Sequence, residues 1–150
     1  MQRLHLHVAV AMLEPAVRFY STLFGARPTV LKTDYARWRL EDPRVNFTIS
    51  QRGAKPGLDH LGIEVDSRAE LDQAYTRLKQ AERPILEEGT VTCCYAKSEK
   101  ACITDPAGIA WETFYTLGEA TEYGDGPTAP AIDAATRNAA NTGGCGCGPS

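Results

Sequence analysis

Few residues in this chain have the means to do chemistry. Histidines stand at positions 5, 7 and 60, the carboxylate Glu112 lies inside the apolar run Ala110-Trp111-Glu112-Thr113-Phe114, and the thiols Cys93 and Cys94 are adjacent. A carboxylate among apolar neighbours is costly to bury unless a cation meets it. Two imidazoles and one carboxylate with open positions form the donor set of non-haem Fe(II) oxygen chemistry, and zinc accepts the same ligands for hydrolytic or Lewis-acid work. His7 shares a strand face with His5, because side chains alternate with period two, and so competes with it as a ligand.

Adjacent residues of a regular strand point to opposite faces, so Cys93 and Cys94 converge only where the backbone turns. Brought together, they form a soft chelate for thiophilic elements, unsuited to magnesium or calcium. An organoarsenical with trivalent arsenic spends one bond on carbon and leaves two for sulfur, which a cysteine pair satisfies. Cys102 is a candidate third thiolate, facing Cys94 if the intervening hairpin turns near Ser98. Cys145 and Cys147, in Gly144-Cys145-Gly146-Cys147-Gly148, resemble a flexible metal-scavenging arm. Five cysteines are an odd count, which excludes a fully paired framework within one chain. With no export signal apparent, reduced thiols and a cytoplasmic setting are expected.

An internal repeat predicts the elements that position these groups. An offset of 55 lays Leu6-His7-Val8-Ala9-Val10 on Leu61-Gly62-Ile63-Glu64-Val65, and pairs His5 with His60, Tyr20 with Tyr75 and Leu23 with Leu78. Each copy reads as a strand starting at histidine, then an amphipathic helix. The first helix carries Leu13, Ala16, Val17, Tyr20 and Leu23 at helical spacing, with Pro15 in its first turn and Gly25 as C-cap. The second has Asp66-Ser67 as N-cap and Leu71, Ala74, Tyr75 and Leu78 as its buried stripe. Three strand-like stretches follow each helix: about 27–32, 36–40 and 45–50, then 85–92, 100–104 and 111–117. The expected fold is α+β, with tandem βαβββ modules over about 1–52 and 56–117 forming a metal-lined cleft. His5 and His60 would meet across its pseudo-twofold axis, whereas His7 falls on Gly62, which has no side chain to bind. Thr48 lies opposite Glu112 and leaves one corner of the site open.

Composition marks where this organisation stops. Residues 1–117 hold 15 Lys and Arg against 15 Asp and Glu, so the formal charge of −3 resides in 118–150, where four acids face one arginine. That stretch has seven Gly, seven Ala and three Pro, and reads as a disordered tail that cannot offset its ordering entropy by burial. No apolar run approaches a membrane span, and the scattered Lys and Arg give no nucleic-acid footprint.

The repeat, with Phe19-Tyr20-Ser21-Thr22-Leu23-Phe24-Gly25, resembles the vicinal-oxygen-chelate superfamily of glyoxalase I, bleomycin-resistance proteins and extradiol dioxygenases. Leu58-Asp59-His60-Leu61-Gly62-Ile63-Glu64-Val65, Thr92-Cys93-Cys94-Tyr95-Ala96, Thr104-Asp105-Pro106 and Trp111-Glu112 are similar to the organoarsenical carbon–arsenic lyases and cadmium-induced proteins of arsenic operons. The resemblance implies cleavage of the carbon–arsenic bond of trivalent methyl- or arylarsenicals with Fe(II) and O2. It implies metal binding and catalysis through His5, His60 and Glu112, and arsenic binding by Cys93 and Cys94. Where well-known members carry Gln, this chain has His5. The rival readings are a non-catalytic cadmium- or arsenite-binding protein, and a glyoxalase-type or thiol-transfer enzyme using Zn, Ni or Mn. The open corner at Thr48 disfavours a glyoxalase, which wants a fourth protein ligand. Nothing in the sequence sets an oligomeric state.

Overall fold

The structure is a computed structural model that describes residues 1–81, 85–93 and 95–119. Its elements run β1 (Arg3–Ala9), α1 (Leu13–Phe24), β2 (Val30–Leu31), β3 (Tyr35–Glu41), β4 (Arg44–Ser50), β5 (Gly57–Val65), α2 (Arg68–Lys79), β6 (Ile85–Cys93), β7 (Ala96–Thr104) and β8 (Ala110–Glu119). The expected tandem βαβββ order is present. The expected tail begins within β8 at Gly118, and from residue 120 onward it lies outside the described residues.

Alternation sorts each strand into two faces. On one face of the first module Leu6, Val8, Ala36, Trp38, Phe47 and Ile49 pack against Leu13, Ala16, Val17, Tyr20 and Phe24 of α1. Rings supply much of that core: Tyr20 stands 4.5 Å from Phe47 and 6.1 Å from Trp38, centroid to centroid. The start of α1 is held from outside, with the Leu13 amide donating to Gln51 Oε1 at 2.7 Å, and Gly25 ends it at φ 62° as its left-handed cap. In α2, Ser67 accepts from the Glu70 amide and Leu71 and Ala74 are buried.

The opposite face is polar and buried, and topology explains how. All eight strands form one sheet in the order β2-β3-β4-β1-β5-β8-β7-β6. The two modules share this sheet, because β1 and β5 pair antiparallel and join the half-sheets edge to edge. Laid flat, this order would put β3 and β7 five strand spacings apart, about 24 Å. Instead the Tyr95 hydroxyl, just before β7, donates to Asp34 Oδ1, just before β3, at 2.7 Å. Arg52 grips the other oxygen of Asp34 at 2.8 Å, and Lys32 Nζ lies 5.4 Å from the Tyr95 ring centroid. The sheet is thus rolled into a trough with its polar face inside.

Strand boundaries differ from expectation where residues are polar. The 27–32 stretch contributes only Val30–Leu31, while β7 starts at Ala96 rather than Lys100. The β6–β7 hairpin consequently closes at Tyr95 and not near Ser98, with Cys93 paired to Ala96. Tyr95 adopts φ 62°, the left-handed conformation that a two-residue hairpin turn demands. Cys102 accordingly pairs with Leu86 and Glu112 and does not face Cys94.

The fold makes the helix-covered core separable from the trough. Ile49 is fully buried, so Ile49→Ala should lower stability by about 2–5 kcal/mol. Denaturant titration would show the lower midpoint, and metal uptake at low denaturant should persist.

Candidate metal centre

The centre is built on three neighbouring strands. His5 on β1 pairs with Gly62 on β5, and Gly62 pairs in parallel with Glu112 on β8. A Cβ on Gly62 would lie 2.6 Å from the Glu112 carbonyl oxygen, 2.9 Å from Glu112 Cγ and 3.4 Å from His5 Cδ2. The missing side chain is therefore the space into which its neighbours lean. The repeat partner of Gly62 is His7, which explains why that equivalence breaks here.

Three donor atoms converge over this gap. His5 Nε2 and His60 Nε2 are 3.3 Å apart, and Glu112 Oε1 lies 3.5 Å from the first and 3.3 Å from the second. The centre of such a triangle is about 2 Å from each corner, the bond length a transition metal makes to imidazole nitrogen and carboxylate oxygen. All three side chains are buried. The donor set and its spacing fit a divalent metal ion with positions left open on one side.

The outer hydrogen bonds orient the rings. His5 Nδ1–H donates to the Asn46 carbonyl at 3.0 Å, and His60 Nδ1–H donates to Asp59 Oδ2 at 2.6 Å. Such partners fix the tautomer that presents Nε2 to a metal. Asp59 precedes His60, and alternation would send it to the opposite face. The β1–β5 register jumps between His7 and Val8, pairing His7 with His60 and Val8 with Leu58. Asp59 is the extra residue of that bulge, and the local kink returns its carboxylate to the histidine. Sequence reading missed it for this reason. It also missed Lys100, a buried lysine whose Nζ stands 3.5 Å from Glu112 Oε2.

His7 lies beside the donors without joining the triangle. One ligand nitrogen each from His5, His7 and His60 falls within a 4.8 Å cluster, but His7 Nε2 is 2.8 Å from Ser50 Oγ. Its Nδ1 has no hydrogen-bond partner among the described residues. Thr48, the corner equivalent to Glu112, donates its hydroxyl to the Leu6 carbonyl at 3.3 Å. Cys102 is buried on the trough face next to Glu112. Of Cys93 only the backbone is described, at the end of β6, while Cys94, Cys145 and Cys147 lie outside the described residues.

Burial disfavours charge throughout this cluster, and one ion pair overcomes it. Burial pulls His60 down, but Glu112 and then Asp59 more than reverse this and push it up to about 10. Burial likewise opposes the charge on Glu112, yet His60 and then Lys100 hold it well below the usual carboxylate range. Burial lowers His5 to about 4 and His7 to about 3, so both are neutral at physiological pH. In the metal-free protein His60 is an imidazolium held between Asp59 and Glu112. A metal cation bound at the triangle would take the place of its Nε2 proton.

Tandem βαβββ modules rolled into one trough around such a cluster define the vicinal-oxygen-chelate class. Comparison with known proteins places the chain within it: the chain belongs to the Glyoxalase/Bleomycin resistance protein/Dioxygenase superfamily, whose model matches residues 2–113. It is 44% identical over 121 residues to the trivalent organoarsenical cleaving enzyme of Bacillus sp. (strain MD1), covering 77% of this chain and 74% of that protein. It is 35% identical over 128 residues to the cadmium-induced protein CadI of Mycobacterium tuberculosis, covering 85% and 84%. Homoprotocatechuate 2,3-dioxygenase from Arthrobacter globiformis shares the fold, with a TM-score of 0.58 and 21% identity over 79% of this chain and 36% of that one. Among the described residues no helix is long and apolar enough to cross a membrane.

Two outcomes follow from this geometry. The raised His60 pKa stabilises the metal-free fold fully below about 6.5, and that contribution fades as pH rises through about 10. Metal uptake at neutral pH should therefore release about one proton per site and tighten with rising pH, measurable with a pH indicator in weak buffer. Gly62→Ala should push Glu112 off the triangle, weakening metal affinity and lowering stability by about 1–3 kcal/mol. Unchanged metal affinity in that variant would mean that Glu112 is not a ligand.

Proposed function

We propose that the protein cleaves the carbon–arsenic bond of trivalent organoarsenicals in a reaction dependent on Fe(II) and O2, releasing arsenite as a detoxification step. The observation that carries this reading is the triangle of His5 Nε2, His60 Nε2 and Glu112 Oε1, open on the trough side. Its donor set is that of non-haem iron oxygenases, and bound iron would supply activation of O2. Names borne by relatives such as the Bacillus enzyme supply the substrate class.

The chain's own residues divide the work. Cys93 and Cys94 hold arsenic through two thiolates, which fixes the third substituent, carbon, toward the metal and contributes orientation. The β6–β7 turn supports that role, because Tyr95 ties the hairpin tip to Asp34 across the trough. His5 and His60 are kept in the metal-binding tautomer by Asn46 and Asp59. Lys100 holds the second oxygen of Glu112 and favours its ionised form. For a methyl substituent the balance is methylarsenite plus O2 giving arsenite plus formaldehyde: the carbon–arsenic bond, one carbon–hydrogen bond and the O–O bond break, C=O, As–O and O–H bonds form, and O2 takes the four electrons that carbon loses while arsenic stays trivalent. The soluble substrates and the small cluster require no membrane or nucleic-acid partner, and a cytoplasmic setting keeps the thiols reduced.

The relationship to a cadmium-induced protein supports a second reading, in which the thiols sequester cadmium or arsenite without turnover. An anaerobic Fe(II) titration followed by O2 and methylarsenite separates the two. Cleavage should consume one O2 for each arsenite released. His60→Ala should lose iron and turnover together, whereas Cys93→Ser and Cys94→Ser should keep iron and lose arsenical binding, since a hydroxyl is a hard donor. Turnover at the wild-type rate in both serine variants would remove the arsenic assignment.

A further inference from the structure

His7 is the buried histidine that the donor triangle leaves over. Its place in the sheet mirrors that of its repeat partner Gly62. Gly62 on β5 is flanked by His5 on β1 and by Glu112 on β8. His7 on β1 is flanked in the same way, by His60 on β5 and by Thr48 on β4. The two equivalent positions are filled differently. Gly62 leaves a gap into which Glu112 leans, whereas His7 brings an imidazole of its own. Thr48 cannot do what Glu112 does, because its hydroxyl goes to the Leu6 carbonyl. The corner that Thr48 leaves open thus adjoins a histidine on the next strand.

The hydrogen bonds of the three imidazoles follow one pattern. His5 and His60 each engage Nδ1 with an outer acceptor and leave Nε2 for the cluster. In His7 the roles are exchanged: Nε2 lies 2.8 Å from Ser50 Oγ, and the buried Nδ1 has no hydrogen-bond partner among the described residues. With Nε2–H donating to Ser50, the Nδ1 lone pair is left for a ligand. A metal-bound imidazole is held in this way, one nitrogen on the ion and the other donating to a fixed acceptor. A buried polar atom without a partner costs about 1–3 kcal/mol, and an ion at the centre would remove that cost. The His7 and His60 ring centroids are 4.8 Å apart, closer than the 5.3 Å between His5 and His60. One nitrogen from each of the three rings falls within 4.8 Å of the others. Donors bound at about 2.1 Å to one ion stand about 3–4 Å apart, so a ring movement of about 1–2 Å brings His7 into the set.

We propose that His7 is a fourth protein ligand in the metal-loaded protein, bound through Nδ1, so that the centre consists of three imidazoles and one carboxylate. The inference rests on the metal triangle of the reading above and not on its arsenical substrate. Imidazole suits nickel and zinc, whereas manganese is better served by oxygen donors. His7 therefore biases the centre toward the nitrogen-loving ions, and a six-coordinate ion still keeps positions for exogenous ligands.

Counting imidazoles on a paramagnetic probe tests this without turnover. The full chain is loaded anaerobically with Co(II), and proton NMR spectra are compared between protein loaded in H2O and in D2O. Each imidazole on Co(II) gives one hyperfine-shifted N–H signal that is lost in D2O. The wild-type protein should show three such signals and His7→Leu two. Competition between Ni(II) and Mn(II) gives a second readout: the preference for Ni(II) should fall about tenfold or more in His7→Leu. A residue that merely held the other ligands in place would weaken both ions alike. Should His7→Leu fail to fold, the wild-type signal count decides alone. Two signals in the wild type, three retained in the variant, or an unchanged ion preference overturns the proposal and leaves the triangle standing. Failure to take up Co(II) at all overturns both. Three signals in a protein whose Fe(II)-loaded form releases no arsenite from methylarsenite and O2 would keep His7 as a ligand and sink the lyase reading.

Discussion

Three donor atoms from His5, His60 and Glu112 lie within 3.5 Å of one another in the interior of this protein. Removed from water, such a group is tolerable only if a cation is shared among them. In the metal-free protein that cation is the proton on His60, which explains the opposite shifts of His60 and Glu112. Much of the surrounding architecture makes the shared position available. Gly62 clears the space between the ligand strands, the bulge at Asp59 orients His60, and the Asn46 carbonyl orients His5.

Holding a polar cluster in the interior requires the apolar core to be elsewhere. The period-two alternation of the strands achieves this by placing Trp38, Phe47 and Ile49 under α1 and Arg37, Asn46 and Thr48 inside the trough. The trough is braced between modules at both ends. At one end buried Arg3 meets Glu64 at 3.7 Å, with Asn46 also donating to Glu64. At the other, Tyr95 meets Asp34. The donor cluster lies between these braces, so the relative placement of the modules and the geometry of the cluster are set by the same contacts.

The hairpin between β6 and β7 closes this frame at the other module. It closes where Cys93 pairs with Ala96, and the left-handed backbone of Tyr95 makes so short a turn possible. A non-glycine residue is held there by its own ring and hydroxyl contacts across the trough. Turn conformation and closure of the trough thus depend on one side chain, a coupling of the kind found where local strain serves a site.

Local and repeating features were legible in the chain itself. The 55-residue offset marked the two modules and matched His5 with His60, helical periodicity and caps located α1 and α2 within a few residues, and the apolar run around Glu112 marked the carboxylate as exceptional. These depend on neighbours in sequence, which pattern and chemistry express directly. Tertiary structure alone decided the rest, because each remaining feature depends on pairings between distant strands. Antiparallel pairing of β1 with β5 made one sheet of two. The bulge returned Asp59 to the site against the alternation rule, and the register of β7 moved the turn from Ser98 to Tyr95 and carried Cys102 to Glu112. A polar segment such as Lys97-Ser98-Glu99-Lys100 has no hydrophobic period to announce it as a strand. Its hydrogen bonds to β6 and β8 make it one.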